Sequence, residues 1–297
     1  MALLNPNTAN QLVYIKIIIK LLLISFLFSN AYIHGNSQWS KKQVVICFDD
    51  GFYAVYKYAF PQLKHYKVPF VIGLIASYTK PGNARANASP YSYMNQGEIK
   101  NMLNSADVEI ASHSVRHLNL QNISKESAKY EISQSKVLLE SLFGQEVITF
   151  IYPYGYTNSY IVDLVKTSGY KLARSCKWGE VNLWTDRFLI PIKEVRMSTS
   201  ISEILDHIKN NKITVLVFHR ITPNPLVFTD FSQTKFNKLL SVLSSSNTIQ
   251  VVTFKGLYQQ WWQDVTLKYI AQKDWLYNAR DLFQQIEPDR FKTINRQ

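Results

Sequence analysis

Cysteine is scarce in this chain of 297 residues, where Cys47 and Cys176 are the only two. That excludes a scaffold held together by disulfides. A domain of this length buries enough surface to fold without them, so both thiols are expected to be free and buried. Acids are also few, with 21 Asp and Glu against 33 Lys and Arg and a formal net charge of +12. Such an excess suits anionic surroundings such as wall polymers or phospholipid head groups. The bases are scattered singly, without basic tracts or stacking modules, so no nucleic-acid partner is expected. No internal repeat and no long low-complexity tract is present. Also missing is an apolar run long enough to cross a bilayer comfortably. The stretch from Val13 to Phe28 has 16 residues and contains Lys20, against the roughly 20 that a hydrocarbon core requires.

Hydrophobic residues make up 46% of the chain, enough to fill a sizeable core and to argue against global disorder. The first 31 residues are of a different kind. They hold no acid and two lysines, Lys16 and Lys20, ahead of the apolar run from Leu21 to Phe28 and the small residues of Ser29-Asn30-Ala31. This is the pattern of a secretory signal peptide, with an uncleaved membrane anchor as the rival reading. The chain is therefore expected to be exported, to the extracellular space or the cell envelope, with residues 32–42 as a linker. A tether through the leader remains a possible partner contact with the membrane, and a monomer is expected otherwise.

After the leader, strand-like and helix-like segments alternate, the signature of an α/β fold. Strands are expected at Gln43–Phe48, Pro69–Ala76, Val108–Ala111, Val147–Tyr152 and Ile213–Phe218. A weak one is expected at Leu172–Arg174 and a last one at Ile249–Thr253. Between Arg174 and Ile190 the pattern blurs. Residues 77–93 are rich in Gly, Pro, Asn and Ser and read as a long loop. Capping boxes at Asn95–Glu98 and Ser200–Glu203 open helices. A long helix runs from Ser124 to a C-cap at Gly144, and others cover Ser159–Gly169 and Gln233–Ser245. About seven strands with intervening helices point to a barrel-like parallel sheet, in which chemistry sits at the C-terminal ends of the strands.

Four strands end in unusual polar residues: Asp49-Asp50-Gly51, His113-Ser114-Val115-Arg116-His117, Pro153-Tyr154-Gly155 and His219. Each has a bland reading. Asp-Asp-Gly is good turn chemistry, a histidine pair is often merely solvated, and a strand-end histidine is often a satisfied core residue. The functional reading is equally concrete. His113 and His117, four apart, would share one side of a helical turn, and a transition metal with two nitrogens takes a carboxylate as its third ligand. Two carboxylates directly after a buried strand call for a compensating cation. One could bind metal while its neighbour acts as a base.

Taken in order, C-F-D-D-G, H-S-V-R-H, Y-P-Y-G and L-V-F-H resemble the polysaccharide deacetylases of carbohydrate esterase family 4, over about Gln43 to Tyr258. The Y-P-Y-G form is similar to the branch acting on exported poly-N-acetylglucosamine. The resemblance implies a distorted (β/α) barrel and a metal-dependent hydrolase that removes acetyl groups from an N-acetylated polysaccharide. It implies a divalent ion, zinc by preference, on Asp50, His113 and His117. It makes Asp49 the general base and His219 the general acid, with Pro153, Tyr154 and Gly155 at the substrate and the Tyr154 N–H at the oxyanion. There are departures. Cys47 stands where Thr is usual. The family often carries Arg two residues before the motif proline, where this chain has Ile151, so Lys193 or Arg196 is expected to stand in. For the partner of His219, Asp186 and Glu194 are the candidates.

The catalytic domain is thus expected at residues 43–262, followed by a helical extension at 263–297 in which Trp275, Tyr277, Leu282, Phe283 and Ile286 recur at roughly helical intervals. The competing readings are an exported polysaccharide-binding protein without activity and a same-family hydrolase of a non-polymeric amide or ester. Because a 16-residue helix rises only about 24 Å against a roughly 30 Å hydrocarbon core, cleavage after Ala31 is expected, giving a mature N-terminus at Tyr32. Mass spectrometry of the native protein checks this. A dominant peptide spanning Phe28 to Trp39 would show that the leader is kept.

Overall fold

The computed structural model describes residues 41–85, 88–182 and 185–263. The expected leader, most of the linker and the extension from 264 onward lie outside the described residues. Among the described residues no helix is long and apolar enough to cross a membrane.

Seven parallel strands close into a ring in chain order. They are β1 (Lys42–Phe48), β2 (Phe70–Leu74), β3 (Val108–Ser112), β4 (Thr149–Ile151), β5 (Leu172–Trp178), β6 (Ile190–Glu194) and β7 (Ile213–Phe218). Each pairs with the next, and β7 returns to β1 in register from Gln43 opposite Ile213 to Phe48 opposite Phe218. This is the α/β barrel that the alternation implied, with one member exchanged. The ring contains β6, which the sequence pattern did not show, and not the expected strand at Ile249–Thr253. That segment forms β10 (Ile249–Val251), an addition beside β1, after a small pair of strands, β8 (Arg220–Thr222) and β9 (Asp230–Ser232). β6 is hard to read because Pro191 removes a ladder donor and its pairing with β5 shifts register between Arg174 and Trp178. β5 is also longer than expected, running on through Trp178.

Helices cover the outside. A π-helical turn (Val55–Ala59) runs into α1 (Phe60–His65), followed by α2 (Gln96–Ser105), α3 (Lys125–Phe143), α4 (Ser159–Thr167), α5 (Ile201–Asn210) and α6 (Gln233–Ser245). Both expected capping boxes form: Asn95 with Glu98, and Ser200 with Glu203. The long helix α3 starts at its Ser124 cap and ends at Gly144, whose φ of 66° suits the glycine there.

Alternation along the strands sorts the core into two regions. Val44, Ile46 and Phe48 of β1 join the apolar layer under the helices, together with Phe70, Phe150, Phe218 and Phe236. The intervening residues Val45 and Cys47 face the other way, into the ring, and Asp49 continues that face at its upper end. Low in the ring, buried Glu109 of β3 accepts from Thr149 Oγ1 at 2.8 Å and from the Lys255 N–H at 2.6 Å. The aromatic layer carries much of the packing: the Phe48 ring lies 6.0 Å from Phe70, 5.6 Å from Phe218 and 5.8 Å from Phe236. Phe48→Ala is expected to cost about 3–5 kcal/mol, measured by urea denaturation, because the cavity it leaves lies between three rings that cannot collapse together.

Candidate active site

The upper end of the ring opens into a cavity of about 490 Å3 lined by Asp49, Asp50, His113, His117, Tyr154 and His219 among others. Six residues drawn from four separate motifs thus share one mouth, because in a closed parallel ring all strands end on the same side.

Asp50, His113 and His117 converge. Asp50 Oδ1 lies 3.5 Å from the Nε2 of each histidine, and the two Nε2 atoms are 3.0 Å apart. Donors about 2.0–2.2 Å from a tetrahedral ion are themselves separated by roughly 3.3 Å, so the set fits a divalent ion. The chemistry of His113 fits as well. Its Nδ1 lies 2.9 Å from the Ile151 carbonyl, which can only accept, so Nδ1 carries the proton and Nε2 presents its lone pair. Burial lowers its pKa to about 3, against the opposing pull of Asp49, keeping the ring neutral.

The two histidines do not meet on a helical turn, as their spacing suggested. Residues 113–117 form an irregular turn in which Ser114 (φ 65°) and His117 (φ 59°) are left-handed, and the Ser114 hydroxyl accepts from the His117 N–H at 2.9 Å. Asp50 (φ 69°) and Tyr154 (φ 58°) share that conformation. A left-handed non-glycine residue costs on the order of 1–3 kcal/mol, and here four of them surround one point. The Tyr154 ring stands 4.5 Å from the His117 ring and is 59% exposed. Of the expected substrate residues, Tyr154 lines the cavity. Pro153 is buried beneath the turn and Gly155 (φ 73°) presses on Cys176, where an added Cβ would come within 2.4 Å of the cysteine Cβ.

Asp49 is buried, and its partner was not anticipated. Arg174 of β5, wholly buried, directs Nη2 to Asp49 Oδ1 in a close ion pair. Cys47 Sγ faces the same oxygen at 3.8 Å. Burial would raise the Asp49 carboxyl, but Arg174, with His113 and His219 beyond it, holds it well below the usual carboxylate range. The expected stand-ins make other contacts, although Arg196 lines the same cavity. Lys193 lies over the Trp178 ring at 4.3 Å, and Arg196 is bound to Glu194 at 2.7 Å. Arg174 is the register partner of Ile151, so the arginine sits one strand across from the family's usual place. Its signal in the sequence was a single charge inside an apolar strand, which burial forces to find an acid.

His219 follows β7 directly. Its Nδ1 is buried with no hydrogen-bond partner among the described residues. Neither expected acid is hydrogen-bonded to its Nδ1: Asp186 accepts from the Phe188 N–H at 2.8 Å, and Glu194, which lines the same cavity, is paired with Arg196. Both cysteines are free, but Cys176 is exposed rather than buried, because the end of β5 runs out into the mouth, where Cys176 lines the cavity. Removing one partner of a buried ion pair strands the other, so Arg174→Met is expected to destabilise the protein by about 3–5 kcal/mol in urea denaturation. An Asp49→Asn, Arg174→Met double variant should recover part of that loss.

The polysaccharide deacetylase family model matches residues 36–173. The poly-beta-1,6-N-acetyl-D-glucosamine N-deacetylase of Staphylococcus aureus is 26% identical over 168 residues, 54% of this chain and 57% of its own. The YxkH protein of Bacillus subtilis, named as a polysaccharide deacetylase, is 26% identical over 163 residues, 55% of this chain and 54% of its own. The chain thus spans little more than half the length of these relatives. In fold it is similar to a family 4 acetyl xylan esterase from Clostridium thermocellum in complex with a cobalt ion, with a TM-score of 0.50 and 19% identity over 73% of this chain and 91% of that one. The Xyl-CE4 domain of a multidomain xylanase from the hindgut metagenome of Trinervitermes trinervoides gives a TM-score of 0.50 and 18% identity, over 74% and 91%. Residues 36–173 are thus similar to the polysaccharide deacetylase family, and the motifs that carry the similarity meet at the mouth of a closed seven-stranded ring.

Proposed function

We propose that this protein removes acetyl groups from an N-acetylglucosamine-containing polysaccharide at the cell envelope, with Asp50, His113 and His117 holding a divalent ion, zinc by preference. The observation that carries the reading is the arrangement at the mouth. A carboxylate kept ionised by a buried arginine stands beside a three-donor cluster, with a histidine from the opposite end of the domain facing both. The ion, when bound, supplies Lewis acidity to the amide carbonyl and acidity to water.

Everything else falls to the chain. Asp49, fixed through Oδ1 by Arg174, has its second oxygen available to take the proton of the attacking water. The Tyr154 N–H, presented by its left-handed turn, is suited to the oxyanion. His219 gives a proton to the leaving amine, and its exposed side lies in the cavity while Nδ1 stays buried. The choice of poly-β-1,6-N-acetylglucosamine over chitin oligomers or peptidoglycan is supported by the Y-P-Y-G form and by the name of the Staphylococcus aureus relative.

An acetate-release assay on these three substrates tests the reading, with release expected from the first and lost on chelation. Asp49→Asn should abolish turnover with metal content near that of the parent, about one ion per chain, whereas Asp50→Asn and His113→Ala should lose both. Elemental analysis showing equal metal in all four proteins would overturn the ligand set. Because Arg174 depresses the Asp49 carboxyl, weakening that pair in Arg174→Lys should move the acid limb of kcat/KM to higher pH. An unmoved limb would show that Asp49 does not set it.

A further inference from the structure

We infer that Glu131, a wholly buried carboxylate on helix α3, is the positioning residue for the turn that carries His113 and His117, and that through this turn it sets how tightly the ion is held. The inference rests on the ligand set of Asp50, His113 and His117 proposed above and adds the residue that aims His117.

The two histidines are held by different means. His113 follows the end of β3, with its N–H on the Leu74 carbonyl at 2.9 Å and its ring Nδ1 on the Ile151 carbonyl, also at 2.9 Å. His117 lies beyond the strand, and its ring meets His113, Asp50 and Tyr154, all at the mouth itself. Its direction is therefore set by the backbone that leads to it, in which Ser114 and His117 are left-handed. Such residues persist only where their surroundings over-determine them.

That backbone is pinned from two sides. From the end of β2, the Ala76 N–H donates to the Ser114 carbonyl and the Ser77 N–H to the Val115 carbonyl, both at 3.0 Å. From the helix side the pin is Glu131. Its Oε2 accepts from the Arg116 N–H at 2.7 Å, and its Oε1 from Arg116 Nε at 2.6 Å. One carboxylate thus grips a single residue by backbone and side chain together, which fixes the tilt of the peptide as well as its place. One helical turn further along α3, the Ser135 hydroxyl lies 2.7 Å from that of Ser112, the residue before His113. The same face of α3 therefore braces both ends of the segment 112–116.

The choice of a carboxylate bears on function. A buried charge is costly unless it is paired, and the guanidinium that pairs with Glu131 belongs to a half-exposed side chain. A mere tie between helix and loop needs no such charge. A charge-assisted grip is shorter and stronger than a neutral one, which suits a turn whose histidine must keep its Nε2 within about 0.2 Å of its place on an ion.

Zinc affinity is measured by chelator competition for the parent, Glu131→Gln, Arg116→Gln and Leu139→Ala, and the visible bands of the cobalt-loaded proteins report ligand geometry. Leu139, a core residue of the same helix, controls for lost stability alone, which urea unfolding of the metal-free proteins ranks. Expected is an about tenfold fall in zinc affinity with shifted cobalt bands for Glu131→Gln. Arg116→Gln keeps the N–H contact and should fall about threefold. Leu139→Ala should match the parent in both, however much stability it loses. Parental affinity and bands in Glu131→Gln, or in Arg116→Gln if the first variant fails to fold, would overturn the inference, as would an equal fall in Leu139→Ala. A parent that binds no divalent ion would overturn the ligand set itself and this inference with it.

Discussion

The buried pair between Arg174 and Asp49 is the interaction on which the mouth of the barrel depends. A carboxylate at the top of a closed ring loses its hydration, and without a cation it would bind a proton and cease to be a base. Arg174 prevents this from across the ring, and the same contact fixes which carboxylate oxygen is engaged. The two partners reside on β5 and at the end of β1, so the pair also braces the ring across its interior. An ion pair at this depth is weak evidence for stability, because desolvation offsets much of the attraction. Under the proposed reading its service is to keep Asp49 charged at the mouth.

Around that pair the backbone is bent out of its ordinary regions at Asp50, Ser114, His117 and Tyr154. Each of these residues sits on a turn directly above a strand, and the strands hold the turns in place. The result is a set of donors and a hydrogen-bonding face positioned before any ligand arrives, so binding need not order them. Gly155 completes the construction by letting the turn of Tyr154 lie flat against Cys176.

Much of this was legible in the sequence. Strand β7 and helix α6 fell where periodicity put them, and both capping boxes formed as read. Asp49, Asp50, His113, His117, Tyr154 and His219 meet in one cavity because strand-end motifs in a parallel ring must. What escaped depended on pairing across the ring. β6 was hidden by Pro191, and the length of β5 by an irregular register. Arg174 could be matched to Asp49 only once β4 and β5 were aligned with Ile151 opposite the arginine. The helical turn expected at 113–117 failed because spacing alone does not reveal a left-handed residue.

The closure between β1 and β7 has one more consequence, for folding. The N–H of Asp49 donates to the carbonyl of Phe218 at 2.9 Å, so the residue read as the base is bonded to the one preceding His219. The first and last motifs of the domain are neighbours only through this parallel seam, the contact of greatest sequence separation in the ring. Such non-local contacts form late, after the loop entropy between them has been overcome. Closing the ring is thus what brings the Asp49 turn beside the strand that carries His219. A chain with every other strand in place, but that seam open, would have Asp50, His113 and His117 on their turns and His219, the residue proposed as the acid, away from them.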